Sequence, residues 1–112
     1  MKYIVYQTTS KINNKIYIGV HKTEDPDTFD GYLGNGVYIY RPSSYMHPKT
    51  HFQFAVKKYG IKNFIRTTLK VFDNEEDAYK LESELVNEEF LKRDDTYNLI
   101  LGGRDVSQFM VK

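Results

Sequence analysis

The chain has 112 residues, enough for one compact domain and too few for two. It has no cysteine, which excludes a disulfide scaffold, cysteine-ligated zinc and a thiol nucleophile and suits a reducing compartment. Its net charge of +1, taken as a sum, argues against a nucleic-acid binder, and no apolar run approaches the roughly 20 residues of a membrane span. The opening MKYIVYQTTS holds no long apolar stretch, so no secretory signal is expected.

Tyr3–Thr9 alternates and is rich in β-branched residues, which predicts a strand; Ile16–His21 predicts a second. Asn13-Asn14 between them tolerates the positive φ of a hairpin turn. A two-residue turn there sets Ser10 opposite Tyr17, Thr8 opposite Gly19 and Tyr6 opposite His21. Opposed residues share a face, so Tyr6, Tyr17, Gly19 and His21 fall on one side, and Val5, Ile16, Ile18 and Val20 on the other. Thr23–Gly36 is a loop punctuated by Pro26 and three glycines; Gly34-Asn35-Gly36 lacks the Lys-Ser/Thr that a phosphate loop requires. Val37–Tyr40 is a short extended piece, and Pro42 and Pro48 bracket a further loop.

His51–Tyr59 carries apolar residues at Phe52, Ala55, Val56 and Tyr59, the spacing of a helix, and Gly60 ends it. Thr67–Phe72 predicts a third strand. Asn74 then caps a long helix from about Glu75 to Lys92, and Tyr97–Leu101 is a short strand or extended segment closed by Gly102-Gly103. The order β-β-α-β-α-β predicts an α/β (α+β) fold: a small sandwich with a mainly antiparallel three-stranded sheet flanked by helices.

The charge is unevenly distributed. Arg41–Lys70 holds seven basic residues and no acid, whereas Val71–Asp95 holds ten acids against Lys80, Lys92 and Arg93. Two solvated faces would explain this; so would a basic segment that meets phosphates. Ten tyrosines among 17 aromatics are the second unusual feature, most of them placed to pack.

The long helix carries an apolar stripe through Ala78, Leu81, Leu85 and Val86, and Glu82 falls inside it at about 100° per residue. A carboxylate on such a stripe must be paired, hydrogen-bonded or bound to a cation. Two readings stand: a salt-bridged glutamate at the stripe's edge, or a single-carboxylate magnesium site. A hairpin face with Tyr6, Tyr17 and His21, a core-side glutamate and a basic segment together hold the parts that phosphodiester hydrolysis needs.

These residues also carry a resemblance. Tyr3–Gly19 (YIVYQTTSKINNKIYIG) resembles the opening of the GIY-YIG nuclease family: Tyr17-Ile18-Gly19 is an intact second motif, and Ile4-Val5-Tyr6 keeps the tyrosine of the first but not its glycine. Gly31–Gly36 (GYLGNG), Lys57-Lys58-Tyr59-Gly60 with Asn63-Phe64, and Tyr97-Asn98 followed by Gly102-Gly103 resemble, in order, segments of phage and intron homing-type members. The resemblance implies a magnesium-dependent DNA endonuclease, with manganese as a possible substitute, acting in the host cytoplasm, with DNA as partner. It implies Tyr6 as general base or its positioner, Tyr17 as positioner of water and phosphate, Glu82 as metal ligand and Asn98 as support.

The family's arginine soon after the second motif is missing; Arg41, Lys22 or His21 could serve instead, with Arg41 favoured for charge and His21 for its expected place beside Tyr6. Lys22, Lys57, Lys58 and Lys62 would contact the nucleic acid. Homing-type members carry a separate DNA-binding region, whereas nine residues follow Gly103, so an excised catalytic domain or a short stand-alone nuclease is expected. A catalytically impaired binding module on the same fold, and a protein-interaction domain, are the alternatives.

Overall fold

The computed structural model describes residues 1–103. Strands β1 (Lys2–Ser10) and β2 (Ile16–Thr23) form the expected hairpin. A two-stranded unit follows, β3 (Tyr32–Gly34) with β4 (Val37–Tyr38), then helix α1 (His51–Tyr59), strand β5 (Phe64–Phe72) and helices α2 (Glu75–Leu85) and α3 (Glu88–Leu91). The main sheet has the order β2-β1-β5, antiparallel throughout. The expected α+β fold with a three-stranded antiparallel sheet is therefore present.

The hairpin register differs from the expected one by two residues. Tyr6 opposes Gly19, Thr8 opposes Tyr17, and His21 opposes Ile4 rather than Tyr6. The turn is longer than two residues because Ser10 is the last paired position: its N–H donates to the Lys15 carbonyl at 2.9 Å, and its own carbonyl accepts from Asn14 N–H at 2.9 Å. Asn14 takes the positive φ of 62°. A slip of two residues leaves every side chain on its face, so the two faces are as expected.

Both faces are covered. On the aliphatic face, Val5, Ile16 and Ile18 pack with Ala78, Val86 and Phe90 of the acidic helices. On the tyrosine face, Leu33 and Val37 of the β3–β4 unit and Phe52, Ala55 and Val56 of α1 pack with Phe64 and Tyr97. Thr8 ties the β3–β4 unit to the sheet: its hydroxyl, fully buried, donates to the Leu33 carbonyl at 2.5 Å. The charge asymmetry of the sequence thus becomes a layered one, with lysine-bearing α1 on one side of the sheet and the acidic helices on the other.

β5 begins three residues earlier than expected and serves both faces. Its pairing with β1 shifts between Val5 and Tyr6, so that Tyr6 faces Thr68 while Val5 faces Lys70. The extra residue makes a bulge beside Tyr6, bends the strand and moves its alternating stripe across the sheet. Phe64 belongs to the tyrosine face, and Phe72 packs on the aliphatic one.

At the C-terminal end one expectation fails, and of the two forms expected for the last segment the extended one is present. The long helix from about Glu75 to Lys92 is two helices, because Val86 ends α2 and Asn87 starts α3 as its N-cap, accepting from Phe90 N–H at 2.9 Å. The last segment is no strand: Thr96 makes a single parallel bridge with Ile16, and Tyr97–Leu101 runs on without further ladder bonds. The Asn98 side chain takes the ladder's place, as described below. Among the described residues no helix is long and apolar enough to cross a membrane.

Candidate active site

Tyr6 lies on the central strand and is 1% exposed. Its ring crosses over Gly19, and its hydroxyl sits between two glycines. A Cβ at position 19 would lie 2.5 Å from that oxygen and one at position 34 would lie 2.7 Å from it. The second position, at φ +126°, also passes 3.0 Å from the Tyr17 ring. Glycine at both places is a condition for Tyr6 to occupy its position.

A chain of aromatic rings runs across the face. Tyr17 is tilted against Tyr6 with centroids 6.4 Å apart and stacks on Phe52 at 5.0 Å. Tyr32 meets Tyr6 edge-on at 6.1 Å and shares a hydrogen bond between hydroxyls with it. His21 stacks on Tyr32 at 4.2 Å, so a ring stands between His21 and Tyr6. Burial, then the neighbouring Tyr32, Tyr17 and Glu82 charges, raise the Tyr6 phenol far above its ordinary value; burial raises Tyr17 likewise, followed by the Tyr32 and Glu82 charges. Both are neutral hydrogen-bond donors at neutral pH.

Glu82 completes this cluster from α2. Its carboxylate is half-buried and accepts the Gly103 N–H at 2.8 Å, and its field reaches both Tyr6 and Tyr17. Burial raises its pKa, and the Gly103 bond opposes the rise. The chain can pass this close because residue 102 is glycine: a Cβ there would overlap the Glu82 carbonyl oxygen. Among the described residues no three histidine or carboxylate side chains gather around a point. A cation at Glu82 would have one protein carboxylate and otherwise water or phosphate oxygens, the donor set that suits magnesium.

Asn98 is 8% exposed and acts on the backbone of the second motif. Its Oδ1 accepts from Ile18 N–H at 2.9 Å and its Nδ2 donates to the Ile18 carbonyl at 2.8 Å. One amide thus pairs both backbone groups of Ile18 on the outer edge of β2, next to Gly19.

The expected arginine site is resolved differently. Arg41 is exposed, with its guanidinium 4.9 Å over Tyr38, and Tyr38 in turn lies 4.8 Å from Tyr32. Arg41 is therefore at the outer end of the ring chain. The arginine next to Tyr6 is Arg66 of β5, whose side chain is 3% exposed. It donates to Asp30 at 3.0 Å and to the Tyr32 carbonyl at 3.0 Å, with the Tyr6 ring 5.9 Å away. Asp30 also holds His21 Nε2 at 2.6 Å. Burial pushes the Asp30 carboxyl upward, but the His21 bond, the Tyr32 N–H and the Arg66 charge outweigh it and hold the group below its usual range. Sequence reasoning missed Arg66 because it began the strand at Thr67; the β-rich run in fact starts at Phe64, and alternation from there puts Arg66 on the tyrosine face.

The lysines do not converge on Tyr6. Lys22 sits opposite Tyr3 with its ammonium 5.9 Å over that ring, on the face away from Tyr6. Lys57 and Lys58 end α1 and Lys62 follows in a short 3-10 turn, all three exposed at the turn end of the hairpin.

Among curated proteins, the chain is 48% identical over 104 residues to "Putative endonuclease segD" and 48% identical over 103 residues to "Putative endonuclease segB", both of Enterobacteria phage T4. It is 37% identical over 98 residues to "Endonuclease segA" of the same phage. These alignments cover 93%, 92% and 88% of the chain, but only 40%, 40% and 38% of the relatives. No family model matches the chain, and no solved structure does. The chain is thus similar, over nearly all its length, to about two-fifths of phage proteins that bear endonuclease names.

Proposed function

We propose that the chain is the cutting unit of a magnesium-dependent DNA endonuclease of the GIY-YIG, homing type. One observation carries the reading: a half-buried carboxylate, Glu82, a buried phenol, Tyr6, and a half-buried one, Tyr17, lie within each other's field, with Gly19 and Gly34 under the phenols. A core does not need a carboxylate there, and desolvating one is costly unless the site uses it. The endonuclease names of the phage relatives support the same reading.

In this reading Glu82 would hold the cation, which would supply positive charge at the phosphate. Tyr6 and Tyr17 donate hydrogen bonds that position the attacking water and a phosphate oxygen. Because burial keeps both phenols protonated, neither removes the water's proton while its surroundings stay as they are. His21, on the far side of the Tyr32 ring, has the better equipment for that: Asp30 engages Nε2 and leaves Nδ1 to accept the proton through an intervening water. Water oxygen bonds to phosphorus, the bond to the leaving strand oxygen breaks, and the proton lost by water passes to the base. Asn98 holds the Ile18–Gly19 backbone over which Tyr6 lies. Arg41 meets a phosphate neighbouring the cut, and Lys57, Lys58 and Lys62 meet the backbone farther along.

The test is plasmid cleavage with magnesium or manganese, with and without EDTA, using the parent, Glu82→Ala and Tyr6→Phe. Cutting by the parent and none by Glu82→Ala is expected. A parent that never cuts would leave the chain as a binding module; an active Glu82→Ala would remove the metal assignment.

A further inference from the structure

A cavity of about 260 Å³ opens beside α1, between that helix, the hairpin turn and Tyr97. Its wall is formed by Lys15 from the hairpin turn, His51, Phe54, Lys58 and Tyr59 from α1, and Tyr97. The lining contains no acid, three basic or imidazole side chains and three aromatic rings. The two ammoniums are held against rings, Lys15 at 5.8 Å from the Tyr97 centroid and Lys58 at 5.4 Å from that of Tyr59. His51 meets Tyr97 edge-on at 5.3 Å, and Asn13 Nδ2 donates to the Tyr97 hydroxyl at 3.1 Å, so the floor is fixed. Phe54 is different: it is 58% exposed, an aromatic face turned to solvent on a helix whose other aromatics are packed.

A cavity lined by an exposed ring and two cations, with no competing acid, suits a ligand with a π-face and neighbouring phosphates. We infer that this cavity takes an unpaired nucleobase of a single DNA strand, stacked on Phe54, with its flanking phosphates on Lys15 and Lys58. The choice of DNA rests on the proposed function. Position supports it: Tyr97 contacts Phe52 at 5.7 Å and Phe52 stacks on Tyr17 at 5.0 Å, so one aromatic layer separates the cavity from the tyrosine cluster. A duplex hides its base faces in the stack, so the site selects DNA that is already open, frayed or distorted beside the cut. The size of the cavity fits one ring system, below the roughly 300–1,000 Å³ of clefts that enclose whole ligands.

The chain has no tryptophan, so Phe54→Trp creates a single reporter at the stacking face. In EDTA, a short oligo(dT) should quench that fluorescence to saturation; an abasic strand with the same number of phosphates should bind without quenching, and a blunt duplex should not quench. By fluorescence anisotropy of labelled oligo(dT), Phe54→Leu should weaken binding about tenfold while Phe54→Trp retains it. Lys15→Gln should lower the slope of log affinity against log salt by about 0.7. Absence of quenching, equal quenching by the abasic strand or by duplex, or unchanged affinity in Phe54→Leu would each overturn the inference. The exposed position of Phe54 leaves the core untouched, and circular dichroism checks the fold. Quenching without plasmid cleavage supports the cavity and removes the nuclease reading; cleavage without quenching removes the cavity alone.

Discussion

Tyr6 and Gly19 are a cross-strand pair in which one residue has given up its side chain to the other. The phenolic oxygen occupies the space a Cβ at position 19 would need, 2.5 Å away. Gly19→Ala must therefore displace Tyr6 or part the strands. Overpacking of this kind costs about 1–3 kcal/mol. Urea unfolding reads the stability, and plasmid cleavage is expected to fall about 100-fold, since displacement of a positioned group by about 1 Å has that effect.

The carboxyl of Glu82 is raised in the folded chain, so folding favours its protonated form. Its stabilising contribution is full below the ordinary carboxyl pKa and is lost as pH rises through the folded value. Glu82→Gln, whose Oε1 can still accept the Gly103 N–H, is expected to be more stable than the parent at neutral pH. The difference should vanish in acid. Magnesium should raise the parent's melting temperature and leave that of Glu82→Gln unchanged, by about 2.7 kcal/mol of stabilisation at 100 times the dissociation constant. Thermal melts across pH and magnesium concentration check both.

Asp30 has the opposite sign. Its folded carboxyl is held below the ordinary value of 3.8, so its stabilisation is present above that value and lost as pH falls through the lower folded one. Asp30→Asn should lack this acid limb. At neutral pH it should lose about 2–3 kcal/mol, less than the roughly 3–5 kcal/mol for breaking a fully buried ion pair, because the Asp30 side chain keeps 35% of its exposure while Arg66 keeps 3%. Denaturant unfolding at pH 3, about 5 and 7 distinguishes the two contributions.

Asn98 satisfies two backbone groups of Ile18. Asn98→Ala should cost about 2–3 kcal/mol, since each stranded group carries roughly 1–3 kcal/mol. Asn98→Asp should be worse at neutral pH, because a carboxylate can accept from Ile18 N–H but cannot donate to the Ile18 carbonyl. Urea unfolding reads the order of stability, and hydrogen exchange at the Ile18 amide should be faster in Asn98→Ala, which leaves that N–H without an acceptor, than in Asn98→Asp, which keeps one.

The elements that periodicity and capping control were legible in the sequence: α1 runs His51–Tyr59 as its spacing predicts, and Asn74 caps α2 by accepting from Asp77 N–H at 2.9 Å. The faces of the hairpin were legible even though its register was not, since an even slip conserves them. The cluster of Tyr6, Tyr17 and Glu82 could be anticipated because a carboxylate on an apolar stripe is conspicuous in one dimension. The face of Arg66 follows from a strand begun at Phe64, but its role does not: Asp30 and Tyr32 are brought to it by a loop whose path no period encodes. The break at Asn87 was hidden for a related reason: an acidic, polar run reads as helix throughout, and the asparagine that restarts the helix looks like one more solvent residue.

β1, the strand that carries Tyr6, is bonded along both of its edges, to β2 and to β5. Its amides can open only when the sheet itself comes apart, whereas Glu82 belongs to a helix laid on the sheet and secured through Gly102 and Gly103. The phenol and the carboxylate are thus mounted on parts of the molecule with different opening free energies. A fluctuation too small to unfold the protein can still separate them and close them again. Amide exchange at Glu82 is therefore expected to be faster than at Tyr6, with the tyrosine as the fixed bench against which the carboxylate moves.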